Sequence, residues 1–276
     1  MIACFPKVYF FGEEGDYNVL VMDLMGNSIE KLFQKLKRQF SLKTVLILVD
    51  QMIKAVEMLH THNYIHRDIK PENFVMGLGN KAGHVYLLDF GLAKRFREPF
   101  SGLHIPYKDQ KSFTGTARYA SIKAHFGVEQ SRRDDLEALG YLFIYLLKGQ
   151  LPWQNMTAAN KKEKYEKIKK KKVSVGVDKL CSGLPIEFQV YLNYCRTMKF
   201  NERPDYAYML RIFNDLFIRK GYYYDNAFDW ITSDPDIVMS KPSKGSPGPH
   251  KKAQITTVPK PFGDKENKEQ DNVVNK

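Results

Sequence analysis

"YIHRDIKPENF" occupies residues 64–74, and "LLDFG" follows at 87–91. How these two stretches are read decides the fold. Just upstream, Leu42, Val45, Leu46, Val49, Met52, Ile53, Val56 and Leu59 recur at three- and four-residue spacing. That is the pattern of an amphipathic helix, and Ser41 is placed to cap it. The periodicity breaks at HTHNYIHRDIKPEN, which reads as a loop. FVMG and HVYLLDF then read as short strands joined through GLGNKAG. The spacing of those glycines, G-x-G-x-x-x-G between two strands, suits a turn and not a phosphate-binding loop.

Working outward, KVYFFG and NVLVMDL flank EEGDY and predict a β-hairpin over residues 7–24. Its strands are apolar on both faces, and such strands expect cover on both sides. A helical pattern begins at Ser28. Residues 92–128 are irregular and long for a loop, which marks a functional segment. Ser131 opens a further helix, with Asp134 as its capping partner. DDLEALGYLFIYLLKG is apolar nearly all round beyond Leu139, so this helix belongs at the centre of a helical domain. Three more helices are expected: Thr157 to about Lys171, Pro185 to Met198, and Asp205 to Lys220 with Gly221 as its stop. Beyond about Ser233 the composition becomes polar and Pro/Gly-rich, and 233–276 is expected to be a disordered tail.

The polar residues of the two opening stretches suit one chemistry. In-line phosphoryl transfer needs a carboxylate to orient the acceptor hydroxyl, and Asp68 supplies one. Lys70 can neutralise charge on the group in transit. Magnesium prefers oxygen ligands, and Asn73 and Asp89 offer an amide and a carboxylate oxygen. His66-Arg67-Asp68, Lys70 and Asn73, then Asp89-Phe90-Gly91, match the protein-kinase signature HRDxKxxN plus DFG. Either tripeptide alone is weak; together, in order and one hairpin apart, they are specific.

A narrower resemblance follows. EGDYNVLVMDLMGNSIEKLF, SLKTVLILVDQMI, IHRDIKPENFVMGLG, DFGLAKRFR, HIPYKDQKSFTGTARYASI, EQSRRDDLEALGY and LPWQ resemble the casein kinase 1 family of serine/threonine kinases, from about Lys7 to Trp230. The resemblance implies an α+β, two-lobed kinase fold with a mainly helical large lobe. It implies Mg-ATP as cofactor and acidic or phosphate-primed proteins as substrates. Met22 is then similar to the gatekeeper of the adenine pocket, and the backbone of Asp23 and Met25 would bond adenine. Arg118 and Lys164 correspond to a site for the phosphate of primed substrates. Arg67, Lys94 and Lys111 resemble a second anion site, one that substitutes for a phosphorylated activation loop. Departures are visible too. Asp23 replaces the usual Glu, Asn155 stands where a glycine is usual, and Lys123 replaces the Asn of Ser-Ile-Asn.

Charge narrows the partners little. The 276 residues carry a formal net charge of +12. KKEKYEKIKKKK at 161–172 holds eight lysines against two glutamates, half of that excess. A solvated helix face explains the run as well as an anion-binding one does. Specific nucleic-acid binding is not expected, because neither a known binding fold nor aromatic interleaving accompanies it. The three cysteines are scattered and odd in number, which disfavours a disulfide framework or a zinc site. With no secretory pattern and no long apolar span, the expectation is a monomer of the cytoplasm, nucleus or both, without membrane insertion.

One expected part is not in the sequence. A kinase covers the ATP phosphates with a glycine-rich loop and a strand lysine. No G-x-G-x-x-G occurs here, and only six residues precede the hairpin. The expected organisation is therefore a small-lobe remnant over 1–24, a β-hairpin only, then a large lobe over 25–232 and the tail. Three readings stand open: a kinase of which this chain is an N-terminally truncated piece, a catalytically impaired form that acts as a decoy or regulator, or an anion-binding module.

Overall fold

A computed structural model describes residues 4–233 and 256–259. They divide into two compact units. Residues 4–6 and 24–233 form the larger, and residues 7–23 and 256–259 the smaller.

In the smaller unit, β1 (Val8–Glu14) and β2 (Tyr17–Met22) pair antiparallel, with Phe11 opposite Leu20 and Glu14 opposite Tyr17. Gly15 sits in the turn at φ +57°, the left-handed geometry a two-residue hairpin turn asks for. Among the described residues, β1 lacks the cover expected on both faces. Tyr9, Phe10 and Phe11 are 59%, 53% and 70% exposed.

The larger unit is mainly helical. After α1 (Ile29–Lys35) comes α2 (Leu42–Thr61), the second capped by Ser41 as the sequence predicts and the first by Ser28 where the helical pattern begins. Ser28 accepts from the Lys31 amide, and Ser41 from the Thr44 amide. Short strands follow: β3 (Tyr64–Ile65), β4 (Phe74–Met76), β5 (Val85–Leu87) and β6 (Lys94–Arg95). β4 pairs with β5, and β3 with β6, both antiparallel. Residues 4–6, expected to belong with the hairpin, join this unit instead. The Cys4 carbonyl accepts from the Leu87 amide at 2.9 Å, and Phe5 meets Phe90 edge-on.

Next come α3 (Ile122–His125), α4 (Arg132–Lys148), α5 (Lys161–Ser174), α6 (Val177–Leu180), α7 (Ile186–Thr197), α8 (Tyr206–Arg219) and α9 (Asp229–Ser233). α4 is buried from Arg132 to Leu146, at the middle of the core as expected. Its start is fixed by the Ser131 amide donating to the Asp134 carboxylate at 2.8 Å, and it stops at Gly149, φ +80°. α2, α4, α7 and α8 pack around one another, with Val45, Met52, Leu139, Phe143, Leu192 and Phe213 in a single cluster. Each such side chain contributes about 1.5–3 kcal/mol on burial.

Three expectations need correction. α5 starts at Lys161, not Thr157, because the Asn160 side chain caps it by accepting from the Glu163 amide at 2.9 Å. Its lysine run is not wholly solvated, since Lys172 is fully buried. In the tail, β7 (Thr256–Pro259) is a strand paired antiparallel with β2, Leu20 opposite Thr256. β-branched Thr and Val suit pairing on the open edge of a hairpin. The rest of the expected disordered tail lies outside the described residues. Among the described residues, no helix is long and apolar enough to cross a membrane.

Candidate active site

The loop between β3 and β4 is built around Asp135 of α4. This carboxylate is 2% exposed and accepts from the amides of His66 at 2.7 Å and Arg67 at 2.9 Å. Its Oδ2 also meets His60 Nε2 at 2.8 Å, and His60 Nδ1 lies 2.6 Å from the Tyr206 hydroxyl. Burial alone would push the Asp135 carboxyl up. The His60 contact and the nearby His66 outweigh it and hold the carboxyl below its usual range. Arg67 takes φ +67°, unusual for a side chain with a Cβ. The two amide bonds to Asp135 hold the backbone in that strained shape.

His66 fixes the next turn. The Asp68 amide donates to its Nδ1 at 3.3 Å, so Nδ1 is the bare nitrogen. Its Nε2–H then donates to the Leu88 carbonyl at 3.0 Å. Leu88 also donates its amide to the Asn73 carbonyl at 2.8 Å, which ties the stretch between β5 and Asp89 to the loop.

Asp68 lies at the centre of this arrangement and is 7% exposed. Its Oδ2 accepts from Lys70 Nζ at 2.5 Å, and its Oδ1 from Thr116 Oγ1 at 2.7 Å. Asn73 Nδ2 donates to the Asp68 backbone carbonyl at 3.0 Å, which leaves Asn73 Oδ1 as an acceptor. Asp89, at φ +62°, accepts from the Gly91 amide through Oδ1 at 3.3 Å and keeps Oδ2 for another partner. An amide oxygen and a carboxylate oxygen are donor types that a hard cation such as Mg²⁺ takes. Lys70 and Asn73 thus both bond Asp68, and Asp89 follows Leu88, whose amide bonds the Asn73 carbonyl.

Thr116 is a site residue that the sequence reading missed. It arrives on a segment that crosses the loop at Gly115. There φ is +103°, and an added Cβ would lie 2.4 Å from the Arg67 carbonyl oxygen. Only glycine permits so close a crossing. The signal was available inside TGTARYAS, but nothing local says which hydroxyl reaches Asp68.

The remaining expected residues sit on several elements. Met22 and Asp23 end the smaller unit, where the Asp23 amide donates to the Lys7 carbonyl and its carboxylate takes the Tyr9 hydroxyl at 2.7 Å. Met25 is half-buried in the larger unit. Arg118 lies over the rings of Tyr119 and Tyr145, 5.7 Å from each, and Trp153 Nε1 donates to its carbonyl at 2.7 Å. Lys164 is exposed on α5. Of the expected second anion site, Lys94 and Lys111 meet at one carboxylate, Glu129, at 2.9 Å and 3.9 Å. Arg67 Nε donates instead to the Leu92 carbonyl at 2.7 Å.

The sequence model of the protein kinase domain matches residues 7–211, well over half of the chain. With this carboxylate, lysine, amide and second carboxylate held on one loop and one strand end, the chain belongs to the protein kinase family.

Proposed function

We propose that the chain is a serine/threonine kinase of casein kinase 1 type, acting on acidic or phosphate-primed proteins with Mg-ATP. The observation that carries the reading is the double engagement of Asp68, one oxygen on Lys70 and the other on Thr116. Such a carboxylate can accept the proton of an incoming hydroxyl, with the Lys70 ammonium alongside to offset charge on the moving group. Asn73 and Asp89 would hold the metal, which supplies charge neutralisation at the phosphates. The serine/threonine and casein kinase 1 assignments rest on the sequence resemblance around these residues. Arg118, half-buried against two tyrosines, and Lys164 would receive the priming phosphate, since guanidinium and ammonium groups bond phosphate oxygens well.

A second reading is a binder of such substrates that transfers little phosphate. Labelling of a phosphate-primed peptide from ATP, compared with direct binding of the same peptide, separates the two. The first reading expects Asp68→Asn to lower transfer about 10²- to 10⁴-fold, the range for a lost proton acceptor. Peptide binding without transfer above the Asp68→Asn background supports the second.

A further inference from the structure

Lys172, in the last turn of α5, has no exposed surface. A leucine or methionine would fill the same space without the cost of burying an ammonium. What the ammonium adds is a bond. Its Nζ donates to the Ala120 carbonyl, with the ring of Tyr141 at 4.7 Å and that of Trp153 at 5.1 Å. Ala120 lies two residues after Arg118, on the turn that follows Thr116. Trp153 and Glu137 hold the same turn. Trp153 Nε1 donates to the Arg118 carbonyl at 2.7 Å, and Glu137 of α4 accepts from the Ile122 amide at 3.0 Å. Those two bonds run to α4 and the loop after it, whereas Lys172 ties the turn to α5. Two ring contacts run alongside: Tyr165 meets Phe113 at 4.9 Å, and Lys169 lies over Phe126 at 5.3 Å. α5 also carries Lys164, about two turns before Lys172. The two cations proposed to receive a priming phosphate therefore sit on separate elements, Arg118 on the turn and Lys164 on the helix. Lys172 links one to the other.

We propose that Lys172 is a positioning residue for this phosphate site. Its bond to Ala120 sets the spacing between Arg118 and Lys164, and so decides how strongly a phosphate-primed substrate is preferred over an unprimed one. The inference rests on reading Arg118 and Lys164 as the phosphate receivers, and it holds whether or not the chain transfers phosphate. A phosphate shared by two cations needs both within hydrogen-bond reach at once. α5 has few anchors, with only Ile168 and Lys172 buried along its length. Without the bond, Lys164 would move with α5 independently of Arg118, and the site would hold a phosphate by one cation at a time.

The test is the ratio of two affinities. An acidic serine peptide carrying a fluorophore, with and without one phosphoserine, is titrated with the full chain, and fluorescence anisotropy gives both dissociation constants. The wild-type chain is expected to bind the phosphorylated form more tightly. Lys172→Met keeps the length of the side chain and removes the donor. It is expected to cut that preference by about tenfold, the worth of one charge-assisted hydrogen bond. A merely structural role would weaken both peptides alike. Tyr141→Phe is the control. It keeps the ring beneath Lys172 and removes a hydroxyl that bonds Glu137 at 2.6 Å and Arg196 at 2.9 Å. The same core is loosened without cutting the tie to α5, so the melting midpoint should fall while the preference stays. A preference that survives Lys172→Met, or that Tyr141→Phe reduces as much, overturns the proposal and leaves the phosphate reading standing. A wild-type chain that binds both peptides alike overturns that reading, and the proposal with it. If Lys172→Met does not fold, Lys172→Gln, which keeps an N–H on a shorter stem, is judged by the same ratio.

Discussion

The catalytic loop and the segment that crosses it are held in opposite ways. His66 to Asn73 hang from the core. Asp135, on the central helix, grips two successive amides, and His60 braces it from behind. Residues 96–130 are fixed at scattered points instead. Thr116 reaches Asp68, Trp153 takes the Arg118 carbonyl, Lys172 donates to the Ala120 carbonyl, and Glu129 gathers two lysines. The loop's restraints converge on one buried carboxylate, whereas the segment's are spread along the chain. A single change should therefore damage the loop globally and the segment locally.

The largest effect should come from Asp135→Ala. It strands two amides and His60 in the core and is expected to cost about 3–5 kcal/mol, the range for breaking a buried charged network. Urea unfolding measures it, and a loss below ~1 kcal/mol would dissolve the contrast. Gly115→Ala comes second. Its left-handed backbone and the clash with the Arg67 carbonyl predict a loss of about 1–3 kcal/mol. Faster proteolysis should appear within 96–128 while the core amides keep their hydrogen-exchange protection.

pH should separate the segment from the central helix by sign. In the segment, His125 stacks on Phe113 and meets the Ala117 carbonyl at 3.2 Å. Burial first, and then the neighbouring Lys172, push it down to about 3. The unfolded chain takes up a proton near the ordinary value of 6.5, and the folded one does not. This group's stabilisation is complete above that value and falls by up to about 1.4 kcal/mol per pH unit as pH drops toward 3. On α4, burial pushes Asp134 up to about 6 from the ordinary 3.8, although Ser121 and the Ser131 amide donate to it. Between those values the folded chain keeps a proton that the unfolded chain has released. Its contribution therefore falls as pH rises through that window and is flat above it. His125→Gln should flatten the acid limb of the stability curve and Asp134→Asn should steepen it, as thermal melts from pH 4 to 7 would show. The smallest effect is expected from Lys164→Ala. Exposed on α5, it should change stability by no more than about 0.5 kcal/mol while raising KM for a phosphate-primed peptide and leaving KM for its unprimed form unchanged.

Local signals made the scaffold legible. The apolar spacing of α2 and the near-continuous run of α4 announced their burial, and Ser28, Ser41 and Ser131 announced where helices begin. The bonds of Lys70 and Asn73 to Asp68 were legible because the spacing of these residues is chemical. The short elements α6 and α9 hold too few residues to show a period, and β6 is two charged residues made a strand by pairing with β3. The partnerships of Thr116 and Glu129 were hidden for a different reason, since both are set by contacts between distant stretches. Lys172 sat in plain view as one lysine of eight, yet Tyr165, Ile168 and Lys172 follow a three-four spacing that puts all three on the inner face of α5.

That buried lysine has a consequence for reagents. It lies over the rings of Tyr141 at 4.7 Å and Trp153 at 5.1 Å, and burial holds it well below the usual lysine range. An acylating reagent or an acetyltransferase that meets the native chain will modify its neighbours in the run and pass Lys172 by. Its modification becomes a clock for the lifting of α5, since each acylated copy records one opening of the helix from the body.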